Sequence, residues 1–147
     1  MKKTRTAQTL MSATLFVSIS ILAWGLLSPI ALSQVAPNQA PVIKIPKLSA
    51  TAAKGQKVFN GTCAKCHGVN ATGSDKGPPL IHTIYNPGHH GDLAFYRAAK
   101  SGTPQHHWRF GNMPPQTNVT NEDIASIIRF IRETQEANGI FYRKHKM

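Results

Sequence analysis

Cys63-Ala64-Lys65-Cys66-His67 places two thiols three positions apart with an imidazole following at once, and these are the only two cysteines in the chain. At that spacing each thiol can add to one vinyl group on the same edge of a porphyrin. The next side chain then lies beneath the iron, and C-x-x-C-H reads as a c-type haem attachment signature. Other uses of the pair fit less well. A disulfide would close a very small loop and gain little, because the entropic benefit falls with loop size. A redox dithiol calls for a surrounding βαβ pattern, and no strand-rich flank is present. Zinc would need further ligands at suitable spacing, which downstream histidines could supply. Met113 lies 46 residues beyond His67 in Gly111-Asn112-Met113-Pro114-Pro115. Met1 and Met11 fall in an N-terminal apolar segment and Met147 is the last residue, which leaves Met113 as the candidate methionine for the opposite face of the iron.

The 147 residues suffice for one small domain with appendages. Lys2, Lys3 and Arg5 make a basic start, and no charge follows until Lys44. Between them, residues 10–32 are mainly apolar, and two readings stand. One is a cleaved secretory signal with a break at Pro29 and small residues at Ala31 and Ser33. The other is a retained anchor, since 23 helical residues can cross a bilayer, with the basic flank cytoplasmic. Both put the remaining chain on the periplasmic side of a bacterial cytoplasmic membrane. The expected organisation is a signal or anchor over 1–33, a linker with Pro37, Pro41 and Pro46 over 34–50, and a domain over 51–147.

Beyond residue 33 the chain carries 14 Lys or Arg against 6 Asp or Glu, a net charge of +8. The cations are scattered, and an exported location argues against nucleic acid. A basic surface of this kind steers encounter with acidic proteins or anionic lipid.

The spacing predicts a first helix over 52–60, loop over most of 68–91, and a short helix over 93–100 with Asp92 as N-cap and Gly102 as stop. A last helix is predicted over 121–138. Thr120 and Asp123 suit a capping box, Ile124, Ile127, Ile128 and Ile131 form a buried stripe, Phe130 extends it, and Gly139 ends it. No segment alternates as a strand, so the fold class is all-α. Gly55 in a helix interior costs stability relative to Ala and points to a close helix crossing.

In this order, Gly55-x-x-x-Phe59, Cys63-x-x-Cys66-His67, Gly77-Pro78-Pro79-Leu80, Gly111-Asn112-Met113-Pro114-Pro115 and the final amphipathic helix resemble the class I c-type cytochromes, over about 52–139. The resemblance implies the cytochrome c fold: three to four helices wrapped round one covalently bound haem c, with the first and last crossing near Gly55. Phe59 would pack against Ile127 and Phe130. Cys63 and Cys66 would hold the porphyrin, and His67 and Met113 the iron. Pro78 would accept a hydrogen bond from the His67 ring, and Leu80 would line the pocket. Such a protein is an electron carrier and not an enzyme, working in a respiratory chain with redox partners, as a monomer or as a subunit of a larger complex. The alternatives are an anchored subunit of an oxidase or dehydrogenase, a haem enzyme or gas sensor with an open sixth position, and a metal-handling protein.

His82, His89, His90, His106 and His107 are not explained by the resemblance. One of them could replace Met113 at the iron, or several could hold copper or zinc, for which imidazole is suited. Neighbouring histidines on extended backbone point to opposite sides, so each pair alone would be a poor chelator. Trp108 and Arg109, just before the Met113 loop, could reach a haem propionate. Lys65, between the two cysteines, is expected at the surface.

Overall fold

The computed structural model describes residues 42–144. Among these are four α-helices and two single 3₁₀ turns, with no strand: α1 (Ala50–Thr62), α2 (Ala64–His67), turns at Val69–Ala71 and Thr83–Tyr85, α3 (Asp92–Ser101) and α4 (Asn121–Ala137). The all-α expectation holds, with one isolated antiparallel bridge between Thr103 and Met113.

α1 and α4 form the main helix contact. α1 starts at Ser49, whose hydroxyl accepts from the Ala52 N–H at 3.2 Å and so satisfies one of the orphan donors of a helix N-terminus. α4 starts on the expected capping box, with Asp123 N–H donating to the Thr120 hydroxyl and Thr120 N–H to the Asp123 carboxylate. The two helices meet where Gly55 lies against the Ser126–Ile127 backbone. A Cβ at Gly55 would collide with the Ser126 carbonyl. One turn further on, the Phe59 and Phe130 rings lie 5.7 Å apart, tilted at 54°, within the range of favourable aromatic pairs.

The buried face of α4 is broad: its Ser126–Ile127 backbone and the Phe130 ring meet α1, whereas Ile124, Ile127 and Ile128 line a cavity. Phe130, fully buried, extends the isoleucine stripe as expected and carries it to the helix crossing.

Two expectations need correction. Asp92 is the first residue of α3 and not its cap, which is Gly91. The Asp92 carboxylate instead accepts from Arg132 Nε at 2.9 Å. The described part of the predicted linker, from Val42 onward, is laid against the domain. Lys44 exchanges two backbone bonds with the Asn138 side chain, Ser49 N–H donates to Glu133, and Ile43, Ile45 and Leu48 pack on the core. The apolar segment 10–32 lies outside the described residues, among which no helix is long and apolar enough to cross a membrane.

Candidate haem site

The thiol–imidazole motif forms by continuation of α1. Cys63 closes that helix through its N–H on the Phe59 carbonyl, keeps helical angles, and then accepts from His67 N–H at 2.9 Å. Cys63, Cys66 and His67 are thus set on one turn. The chain reverses through Gly68 and a 3₁₀ turn in which Asn70 and Ala71 both have positive φ. That strained geometry is held by Asn70, whose side chain accepts from Gln56 and Asn60 and whose N–H donates to Asn60, all at about 3 Å. Leu80 N–H donates to the Ala71 carbonyl, which brings Gly77-Pro78 back beneath the motif. Gly77 is needed there, because a Cβ would approach the Cys66 carbonyl to 2.9 Å.

His67 Nδ1 therefore lies 2.9 Å from the Pro78 carbonyl. A carbonyl can only accept, so Nδ1 carries the hydrogen and Nε2 keeps its lone pair. Burial lowers the His67 pKa, with the Pro78 carbonyl pulling the other way, which favours a neutral, oriented ring. Burial, and then Cys66 beside it, push the Cys63 thiol up to about 11.

Facing this wall, a cavity of about 660 Å³ opens between α4, α3 and the 102–113 segment. Its lining includes Cys63, His67, Pro78, Leu80 and Met113, with Ile124, Ile127 and Ile128 across from them. The Met113 backbone is pinned by two hydrogen bonds to Thr103, at 2.9 and 3.0 Å, and Gln116 N–H donates to the Ala99 carbonyl. The Met113 loop is thus tied to the end of α3 and does not depend on its prolines alone for rigidity. Cys66 lies on an adjoining smaller recess that shares Cys63, His67, Pro78 and Met113. Each of the six residues singled out in the sequence borders one or both of these cavities.

The fit to a porphyrin is tested by the donors as well as by volume. Sites for small cofactors are typically about 300–1,000 Å³, mostly apolar, with a few placed polar groups. Here Trp108 Nε1 is buried at the cavity with no hydrogen-bond partner. The Tyr85 hydroxyl is close enough for the indole to temper the rise that burial gives its pKa, but it does not accept the indole hydrogen. An orphaned buried donor is costly, and a carboxylate on the cavity occupant would satisfy it. Apolar walls, two thiols, a neutral imidazole, a thioether and an unused N–H suit haem c.

The cytochrome c family model matches residues 52–135, more than half of the chain. The chain belongs to the cytochrome c family. Membership brings covalently bound haem c and electron transfer as the general activity. No curated protein and no solved structure matches it.

Two features of this cytochrome escaped the sequence. Arg132 spans from α4 to the 85–92 segment. It donates to the carbonyls of Tyr85 and His90 at 2.8 and 2.6 Å and to Gln135 and Asp92, with its guanidinium 5.0 Å from the Phe95 ring centre. Gln135, fully buried, donates to the Leu80 and Tyr85 carbonyls. Two polar residues on an otherwise apolar face were the only sequence signal. The other feature is the clustering of His89, His90, His106 and His107, whose rings all border the cavity. His89 and His90 sit on a turn, both N–H groups donating to the Asn86 carbonyl, so adjacent rings converge to 4.6 Å between centres instead of diverging. His82 stands apart from them. It accepts from Ile84 N–H and meets Trp108 edge-on.

Proposed function

We propose that this cytochrome is an exported monohaem carrier that passes single electrons between protein partners on the periplasmic side of the cytoplasmic membrane. The observation that carries it is the shared cavity: Cys63, His67 and Met113 border one space, and His67 is turned by Pro78 so that its bare nitrogen is available to a metal. Haem c, when bound, supplies a one-electron couple whose potential is raised by a His/Met pair relative to stronger donors. Cys63 and Cys66 would hold the porphyrin through two thioethers, so that it cannot leave during turnover. The Pro78 carbonyl orients His67 and raises its basicity. Met113, fixed on its bridge to Thr103, would occupy the remaining axial position and keep small molecules off the metal. Trp108 Nε1 would donate to a propionate.

The cations scattered over the domain favour fast, weak, salt-sensitive docking to acidic partners. Lys65 is exposed between the two cysteines and stands next to the site. The apolar residues 10–32 support a tether to the membrane as a second form of the same role, in which the domain serves a larger oxidase or dehydrogenase.

The test combines mass and gas binding on protein matured with a working haem-attachment system. One covalent haem per chain and slow, incomplete carbon monoxide binding to the reduced form are expected. Absence of the mass increment would overturn the site, and rapid carbon monoxide binding would make the protein a haem enzyme or sensor. Fractionation of the cells separates the soluble from the tethered form.

A further inference from the structure

We propose that His89, His90, His106 and His107 form a second metal site on the rim of the haem cavity, taking one borderline divalent ion, copper(II) in preference to zinc(II). The chain brings two sequence-distant pairs together. His89 Nε2 lies 3.0 Å from His107 Nε2, and His90 Nε2 lies 3.5 Å from His106 Nε2. One ring nitrogen from each of His89, His90 and His107 lies within 4.8 Å of the other two.

The tautomers decide what the cluster wants. His90 Nδ1 contacts the Ile84 carbonyl at 2.8 Å, and His106 Nδ1 contacts the Pro104 carbonyl at 2.8 Å. Carbonyls only accept, so both rings carry their hydrogen on Nδ1 and present bare lone pairs at Nε2. Those two lone pairs face each other across 3.5 Å, an arrangement that repels unless a cation lies between them. A proton is a poor bridge, because 3.5 Å is beyond the usual span of a hydrogen bond between nitrogens. A haem carboxylate is no better, since it seeks N–H donors and these two rings turn lone pairs outward. A metal ion satisfies both rings, and imidazoles whose other nitrogen donates to a carbonyl are the usual arrangement at metal sites.

The spacing also fits. Bonds of about 2.0–2.1 Å to imidazole nitrogen give ligand–ligand edges of about 2.9 Å in a square plane and about 3.3 Å in a tetrahedron, close to the two separations present. An all-imidazole donor set suits copper and zinc, and copper(II) binds more tightly in the divalent series. The frame is built in advance. Asn86 and Arg132 hold the His89–His90 backbone, and Gln105 N–H donates to Asn112 beside His106. On binding, whichever of His89 and His107 donates to the other moves its hydrogen to its second ring nitrogen.

The site is tested on the intact haem-bearing protein, stripped with chelator and dialysed against copper(II). Copper per haem is measured together with the electron paramagnetic resonance of the bound ion. One copper per chain with splitting from three or four imidazole nitrogens is expected. His106 and His107 are exposed, so H106A/H107A should fold, as checked by its visible spectrum and circular dichroism. It should bind copper about 100-fold more weakly or worse, given that even partners behind the ligands are worth about 10–100-fold, whereas H82A, at the histidine that stands apart from the cluster, should bind as wild type. No stoichiometric copper in the folded protein, or full retention in H106A/H107A, would overturn the site. So would loss of copper in H82A, or a change in haem potential in H106A/H107A without copper uptake by wild type. Haem content is read separately by mass, so failure of the haem assignment cannot be mistaken for failure of this one.

Discussion

The His67 ring shows how much one side chain can settle. Its Nδ1–H is committed to Pro78, which leaves Nε2 with a bare lone pair whose direction is fixed by backbone rather than by side-chain rotation. Cys63, Cys66, His67 and Met113 stand out by type and spacing, Pro78 and Leu80 only through the family resemblance, and all six border the cavity or its adjoining recess. Arg132 was not legible, since a cation on a helix facing solvent and one threaded under a loop look alike in sequence. Arg132 is expected to matter more than any surface charge. Arg132→Met leaves the His90 carbonyl and the buried Gln135 side-chain oxygen short of a donor, with the Tyr85 carbonyl kept by Gln135 alone, and unsatisfied buried groups cost about 1–3 kcal/mol each. A loss of about 2–4 kcal/mol in denaturant unfolding is expected, with faster amide exchange over residues 82–91. The ion pair itself adds little, because Asp92 is largely exposed. A variant that unfolds like wild type would show that the network is not structural.

Among the elements, α4 was predicted nearly to the residue, because a capping box and an isoleucine period are local signals. What the period could not show is that the buried face is broad, meeting both α1 and the cofactor cavity. The histidine pairs failed for a related reason. Extended backbone was assumed for 89–90, whereas a turn on Asn86 brings both rings to one side. Gly55 marks the helix crossing, and Gly55→Ala should cost about 1–3 kcal/mol. The group it meets is the Ser126 backbone and cannot swing away. Denaturant unfolding of the haem-bearing variant measures this directly. At the start of α4, Thr120→Ala should cost about 1 kcal/mol at neutral pH. Its effect depends on acid because the Thr120 hydroxyl, and then its N–H, hold the Asp123 carboxyl below its ordinary pKa. That contribution is complete above the ordinary carboxylate range and is lost as pH falls through the lowered value. The gap in melting temperature between wild type and Thr120→Ala should therefore narrow in acid, and a gap independent of pH would contradict the capping role.

At the scale of the described residues, α1 and α4 form a small frame and the segments between them border a cavity large enough for a macrocycle. A domain of this size buries too little apolar surface to be generous with stability, so the cofactor is part of the core as well as the working part. The net charge of +8 beyond residue 33 should show in kinetics. An anionic redox reagent should react faster than a cationic one of equal driving force, and salt should slow the first and speed the second. Lys65→Glu should reduce both the rate with the anionic reagent and its salt slope, and an unchanged slope would place the contact elsewhere. The most direct measurement is the near-infrared absorption of the oxidised protein, where sulfur ligation of ferric haem gives a weak band. The band is expected in wild type and should vanish in Met113→His with the visible haem spectrum retained. Its absence from wild type, or its persistence without Met113, would contradict His67/Met113 ligation and with it the assignment as a closed one-electron carrier.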